Sequence, residues 1–329
     1  MFRALRVTQV QDAPKYTATT ELVTADELGG DGDGDVTIDV QFSSVNFKDA
    51  LALTGRPGII SAPSLIPGID LVGTVADSDS PDWSPGDRVI VNGWGIGEKF
   101  DGGLSERARV RSEWLVALPE EISPARAAAI GTAGFTAMLS VLALEKHGAS
   151  GEVLVTGATG GVGSIAIALL ARLGYSVTAA TGKTDEFEFL GSLGATTVID
   201  RAELVDKGKA LQSQRWGAVI DSAGSHTLAN ALAQTGYGGI VATAGLAQGP
   251  DLPATVMPFI LRAVTLQGIN SVYCPPPLRR EAWSRLGTDL DLRLLDSLTT
   301  TVGLDGAVGV AERLMQGGGH GRTVVDVQH

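Results

Sequence analysis

At 329 residues the chain is too long for one ordinary core and fits two domains, each large enough to bury an interior. Hydrophobic residues at 44% against 19% charged exclude a disordered polymer, and 25 basic against 37 acidic residues, a formal charge of −12, argue against nucleic acid or an anionic membrane as the main partner. The single cysteine, Cys274, excludes an intrachain disulfide and a thiolate cluster for a structural metal.

The N-terminal run Met1-Phe2-Arg3-Ala4-Leu5-Arg6-Val7 has arginines among its apolar residues and no small-residue cleavage site, so it reads as a first strand rather than a signal peptide. Asp31-Gly32-Asp33-Gly34-Asp35 reads as a solvated turn, because it lacks the flanking helices and terminal Glu of a calcium loop. Short strand-like runs follow over 36–40, 71–76, 87–92, 108–110 and 114–118, one of them entered through the turn Ser84-Pro85-Gly86. Dense turns between short strands predict a compact, partly open β-barrel over residues 1–122.

The character changes at Ser123-Pro124, where Pro just inside a helix start precedes an apolar helical run. Strands are predicted over 153–156, 177–180, 197–199, 218–221 and 240–244. Helices are predicted over 162–173, over 185–193 with a capping-box spacing of Asp185 and Glu188, and over 227–233. This alternation predicts an α/β fold with a Rossmann doubly wound parallel sheet over 123–268, followed by a C-terminal segment over 269–329. No uninterrupted apolar stretch reaches the roughly 20 residues of a membrane span, and the chain is expected to be soluble and cytoplasmic.

The run Val153-Leu154-Val155-Thr156-Gly157-Ala158-Thr159-Gly160-Gly161-Val162-Gly163 leaves a buried strand, turns through glycines and enters a helix. Gly157 permits the turn, Gly160 and Gly161 let backbone approach a diphosphate, and Gly163 lets the helix pack close to the strand. The diphosphate would rest on N–H groups at the positive end of the helix, which predicts a dinucleotide site. The plain alternative is a tight turn without a ligand. An NAD-selective chain places Asp or Glu at the end of the second strand to hold the ribose hydroxyls. Here residues 177–180 run into Thr181-Gly182-Lys183 with no carboxylate before Asp185. A hydroxyl and an ammonium suit a 2′-phosphate, so the expected cofactor is NADPH.

With these residues in hand, the chain resembles the medium-chain dehydrogenase/reductase superfamily over nearly its whole length, and within it the zinc-free, quinone oxidoreductase-like group that includes the acrylyl-CoA reductase branch. The resemblance is carried by Ser43-Ser44-Val45-Asn46-Phe47-Lys48-Asp49-Ala50-Leu51, Ile66-Pro67-Gly68-Ile69-Asp70, Gly93-Trp94-Gly95-Ile96-Gly97-Glu98, residues 130–138, the glycine loop, and Val256-Met257-Pro258-Phe259-Ile260-Leu261-Arg262. It implies that the barrel is a GroES-like catalytic domain completed by the C-terminal segment, a homodimer, and NADPH in the cleft between the domains. It also implies cofactor contacts at Phe47, Thr159, Gly160, Gly161, Val162, Thr181, Gly182, Lys183, Arg201 and Leu246. The branch often has Tyr where this chain has Phe47, so a phenolic donor beside the nicotinamide is missing while ring packing survives.

Zinc-dependent relatives place a His–Glu pair in the segment occupied here by Gly68-Ile69-Asp70-Leu71-Val72-Gly73, where Ile69 cannot ligate, and His147, His226, His320 and His329 lie elsewhere. No metal is expected, because catalytic zinc takes about three protein ligands. Asp70 reads as a turn or interdomain hydrogen-bond partner. Chemistry that tolerates weak electrophilic help fits: hydride addition to a C=C bond conjugated to a carbonyl or thioester. The resemblance makes Asn46 and Asp49 the catalytic candidates, Asn46 orienting the substrate carbonyl or the nicotinamide amide and Asp49 anchoring or supplying a proton. Lys48 is a weaker candidate, water is an alternative proton donor, and the plain reading of Asn46 and Asp49 is a helix-start network. Arg56, Lys99, Arg279 and Arg280 are candidate partners for CoA phosphates or simple surface charges. Reduction of acrylyl-CoA to propionyl-CoA leads, with NADPH:quinone reduction and non-catalytic NADPH binding as alternatives.

Overall fold

A computed structural model describes residues 1–10, 16–24, 27–28, 34–56 and 58–329, the side chain of Thr184 excepted. The Asp31-to-Asp33 part of the acidic turn lies outside the described residues. The chain forms two compact units, one comprising Met1–Thr132, Val272–Arg280 and Leu295–His329, the other Ala133–Ser271 and Glu281–Leu294.

The first unit begins with β1 (Phe2–Gln9) and β2 (Tyr16–Val23), then β3 (Val36–Ser44), α1 (Phe47–Leu53), β4 (Ser64–Leu65), β5 (Asp70–Ser78), β6 (Arg88–Asn92), β7 (Arg107–Val110) and β8 (Val116–Ala117). Helix α2 (Pro124–His147) crosses the division between the units. In the second unit follow β9 (Glu152–Val155), α3 (Gly161–Arg172), β10 (Ser176–Thr181), α4 (Phe187–Ser192), β11 (Thr197–Asp200), α5 (Ala202–Val205), β12 (Trp216–Asp221), α6 (Ser225–Gln234), β13 (Thr235–Thr243), α7 (Met257–Arg262) and β14 (Thr265–Gly268). The chain ends with α8 (Pro276–Asp289), α9 (Leu292–Ser297), β15 (Thr299–Gly303), α10 (Ala307–Met315) and β16 (Arg322–Asp326).

In the first unit β1 sits between β2 and β4, and a larger sheet runs β15-β16-β3-β5-β6-β8, with β7 also paired to β3. Strand alternation explains the core. Val36, Ile38 and Val40 of β3 are fully buried and join Leu71, Val75, Val89 and Val91, while Asp39 between them faces outward to pair with Arg107 at 2.8 Å. The last residues of β3 take β16 antiparallel, Val324 opposite Ser44 and Val325 opposite Ser43. That register carries Arg322, at the start of β16, up to the beginning of α1.

The second unit is a parallel sheet in the order β11-β10-β9-β12-β13-β14. Its strands are apolar on both faces, as in β12 with Trp216, Ala218, Val219 and Ile220 all at most 2% exposed, because helices cover a doubly wound sheet on either side. The strand order reverses at β9, which is where ligands meet such sheets.

Several expectations change. Of the strand expected over 114–118 only Val116–Ala117 pairs, because Ser112–Trp114 forms a short 3₁₀ turn that tucks Trp114 against Phe100, ring centroids 5.0 Å apart. The helix expected from 185 starts at Phe187 behind a 3₁₀ turn, and no side chain caps it, so the Asp185/Glu188 box does not form. Helix α2 breaks its helical backbone at Gly131 (φ 47°, ψ −158°), and its first turns, through Thr132, group with the first unit. Helix α2 is also long and apolar enough, by length and composition alone, to cross a membrane; 89% of its most apolar window is buried inside the protein, the environment of a core helix.

Candidate active site and cofactor cradle

In the first unit the sequence places a carboxylate, Asp70, at the start of an otherwise apolar strand, and the fold buries it to 1% exposure. A buried carboxylate is tolerable only if its lone pairs are filled. Its Oδ1 accepts the Thr132 amide N–H and the Thr132 hydroxyl, both at 2.7 Å. Its Oδ2 accepts the Ser44 hydroxyl at 2.6 Å and the Asn46 amide at 2.8 Å. The guanidinium of Arg322, 4% exposed, stands 3.9 Å from Oδ2. Asp70 is therefore a strand residue at the hub of a network, not a turn residue.

Arg322 braces two members of the hub and ties it to the α2 backbone. It donates to the Ala129 carbonyl at 2.6 Å, to Asn46 Oδ1 at 3.0 Å and to Ser44 Oγ at 3.0 Å. Burial pulls its pKa below the ordinary guanidinium value, while the charges of Asp70 and Asp49 oppose that shift. Gly131 leaves the space for this assembly: a Cβ there would sit 2.3 Å from Asp70 Oδ2 and 2.9 Å from Arg322 Nη2, and its φ of +47° is one that L side chains rarely adopt.

Asn46 precedes α1, and Asp49 lies in its first turn. Asp49 is 1% exposed and accepts the Asn46 backbone N–H at 2.8 Å and the Ile69 backbone N–H at 2.9 Å. Desolvation first, then the charge of Asp70, pushes its pKa up to about 6, against the pull of those hydrogen bonds. The Asn46 amide nitrogen also lies 3.1 Å from both Ser44 Oγ and Asp49 Oδ2. Asn46 and Asp49 form a reciprocal capping box at the start of α1, and with Arg322 donating to Oδ1 the amide is oriented with its N–H groups toward the carboxylates. Lys48 turns away from this network to pair with Glu98 at 2.9 Å, and Phe47 is 53% exposed.

Sequence reasoning paired Asn46 with Asp49 and missed Arg322, Ser44 and Thr132. An Arg opening an apolar C-terminal strand was the available signal. Arg279 is a correction of another kind. It is 1% exposed and donates to the Asn92 carbonyl at 2.6 Å and side-chain oxygen at 2.8 Å, so it is neither a surface charge nor a surface phosphate ligand. Burial lowers its pKa to about 10. Arg56, Lys99 and Arg280 are exposed.

In the second unit the expected cofactor residues lie after the carboxyl ends of parallel strands. Gly157, Thr159, Gly160, Gly161 and Val162 follow β9; Thr181, Gly182 and Lys183 end or follow β10; Arg201 follows β11; Leu246 follows β13. Gly157 turns at φ +59°, and a Cβ on Gly163 would meet the Gly157 carbonyl oxygen at 2.4 Å, so loop and helix pack as only glycine allows. The first N–H groups of α3 have no acceptor within the helix and present its positive end. Thr181 is 4% exposed, and its hydroxyl accepts the Lys183 N–H at 3.1 Å. Arg201 lies across Gly182, where a Cβ would meet its Nε at 2.4 Å. Leu246 is 63% exposed.

What braces this cradle escaped the sequence reading. Asp221, fully buried at the end of β12, accepts the Thr156 hydroxyl at 2.7 Å, the Thr243 hydroxyl at 3.1 Å and the Gly224 N–H at 3.0 Å. Ser222 donates from its hydroxyl to the Thr156 carbonyl at 3.0 Å. Three strand ends are thereby locked under the glycine turn.

Residues 32–120 match the alcohol dehydrogenase GroES-like domain family, and residues 161–287 the family described as zinc-binding dehydrogenase. Among the described residues no three His, Cys, Asp or Glu side chains are grouped to hold a metal ion, so the donor set does not fit the zinc in that description. The chain is 49% identical to the "Probable acrylyl-CoA reductase AcuI" of Escherichia coli K12, over 90% of this chain and 92% of that protein. It is 44% identical to acrylyl-CoA reductase AcuI of Ruegeria pomeroyi, over 99% of both. The crystal structure of E. coli K-12 YhdH with bound NADPH superposes with a TM-score of 0.95 at 47% identity, covering 98% of this chain and 99% of that one. Barrel, parallel sheet and near-complete identity coverage agree: the chain belongs to the medium-chain dehydrogenase/reductase superfamily, in its acrylyl-CoA reductase and quinone oxidoreductase-like group.

Proposed function

We propose that this protein is an NADPH-dependent oxidoreductase that reduces a C=C bond conjugated to a thioester, acrylyl-CoA to propionyl-CoA. The observation that carries the reading is the 44% identity, over 99% of both chains, to a protein named acrylyl-CoA reductase. The glycine turn at the switch point of the sheet supports it as a diphosphate cradle, and the Thr181-Gly182-Lys183 corner, with Arg201 across it, suits a 2′-phosphate. The nearby carboxylate Asp200 is engaged in accepting the Ala202 N–H at 2.8 Å.

When bound, NADPH supplies the hydride for the β carbon of the enoyl group. The chain's part is to bind, orient and restrict. Phe47 offers an exposed ring face and no proton. Asn46, a partly exposed member of the network, is held in one orientation by Asp70, Asp49 and Arg322, which fits orienting the nicotinamide carboxamide or the substrate carbonyl. Asp49, with both oxygens on backbone N–H groups, positions Asn46 and Ile69. Water delivers the α proton.

The protein is a cytoplasmic homodimer in this reading. The edge strand β14 and the exposed Val256 (64%), Ile260 (71%) and Leu261 (56%) of the α7 region support contact with a second copy. Steady-state assay of acrylyl-CoA, crotonyl-CoA and a simple quinone with each nicotinamide cofactor tests the function. Fastest turnover of acrylyl-CoA with NADPH is expected. A large preference for the quinone, or tight NADPH binding with no hydride transfer to any acceptor, overturns it.

A further inference from the structure

The loop after β6, Gly93-Trp94-Gly95-Ile96-Gly97-Glu98, belongs neither to the Asp70 network nor to the cofactor cradle. Trp94 sits at φ +57°, a left-handed backbone that a bulky side chain adopts only when its surroundings compel it. Its N–H donates to the Val272 carbonyl at 3.0 Å, the Arg279 guanidinium carbon lies 4.9 Å from the indole centroid, and the Tyr273 ring meets it edge-on at 6.4 Å and 71°. A glycine at this position would relieve the backbone, so the indole's volume is what the strain maintains.

The loop is anchored beside the Asp70 network and the start of α1. In the β5–β6 ladder Asp70 pairs with Asn92, two residues before Trp94. A Cβ on Gly97 would lie 2.8 Å from the backbone of Gly68, whose neighbour Ile69 is held by Asp49. Glu98 pairs with Lys48 at 2.9 Å, next to Phe47 and Asn46. Trp94 is partly buried and Tyr273 is 56% exposed, so the pair presents aromatic surface on this side of the unit.

We propose that Trp94, backed by Tyr273, is a specificity-determining wall of the acyl subsite, admitting short α,β-unsaturated acyl thioesters and excluding longer acyl chains. This rests on the enoyl-thioester reading above. A large ring held by strain, hydrogen bond and cation–π contact cannot yield to added methylenes, and each excluded methylene alters discrimination by about tenfold or more.

The test compares kcat/KM for acrylyl-CoA and trans-2-hexenoyl-CoA in the parent, in Trp94→Gly and in Trp94→Asn, both replacements being residues that accept positive φ. The hexenoyl-to-acrylyl ratio is expected to rise about tenfold or more, with KM for NADPH unchanged. An unchanged ratio in a variant with parental circular dichroism overturns the proposal. Should neither Trp94 variant fold, Tyr273→Ala reads the same ratio, with a smaller rise expected and no rise again overturning. A parent inert toward both thioesters overturns the enoyl reading and this one with it; an active parent with an unmoved ratio overturns this one alone.

Discussion

Asp70→Asn is the most informative single change, because one oxygen-to-nitrogen swap removes a charge without altering shape. At 3.9 Å the carboxylate and the Arg322 guanidinium attract, and for charges about 4 Å apart this is worth roughly 4 kcal/mol at an effective dielectric of ~20. The swap also breaks hydrogen bonds. Either side-chain oxygen accepts from two donors, so an amide group in either position faces donors. The hydroxyls of Ser44 and Thr132 can rotate to accept, but the Thr132 backbone N–H cannot, and the Asn46 amide can flip only by losing Arg322. Leaving one such group unmet costs about 1–3 kcal/mol. Asp49 is relieved of a like charge, which offsets part of the loss. Removing one member of a buried pair costs about 3–5 kcal/mol in general, and that is the net destabilisation expected here. Urea denaturation followed by tryptophan fluorescence measures it, and the Asp70→Asn/Arg322→Met double variant should lose less than the sum of the singles. A single-variant loss below about 1 kcal/mol, or strict additivity, refutes the account of a buried charge held by its partner.

Gly131→Ala should destabilise by about 2 kcal/mol or more, from the left-handed backbone and the clash with Asp70 and Arg322; a thermal midpoint equal to the parent's contradicts this. Lys183→Ala is expected to raise KM for NADPH about tenfold, as loss of one charge-assisted contact does, while leaving KM for NADH nearly unchanged; equal effects remove the 2′-phosphate assignment. Asp49 has a folded pKa of about 6, above its ordinary value, so the native state holds a proton that the unfolded chain has released. Its contribution to stability is full below the unfolded pKa and fades as pH rises through about 6. Urea midpoints at intervals between pH 4 and pH 7 should show that decline, and Asp49→Asn should abolish its share of the slope.

The sheet of the second unit was legible because burial on both faces makes parallel strands nearly continuous apolar runs, and the glycines after β9 mark a tight strand-to-helix turn. Helix ends were less so. The Asp185/Glu188 spacing suggested a cap, yet a 3₁₀ turn at Thr184–Glu186 takes that stretch, because a few backbone hydrogen bonds decide it and many sequences allow both. Short pairings such as β14, β15 and β16 carry too few residues to show a period.

Residue order alone determined the α/β class and the glycine turn between β9 and α3, since each depends on neighbours within one or two turns of chain, whereas Asn46 and Asp49 were singled out through the family resemblance. Only the tertiary structure decided what surrounds them. Arg322 reaches Asn46 because β16 pairs antiparallel with β3, and Asp221 braces the glycine turn because β12 lies beside β9. A buried charge persists only where groups distant in sequence fill its lone pairs and neutralise it, and such partners are chosen by strand register, which no local pattern encodes.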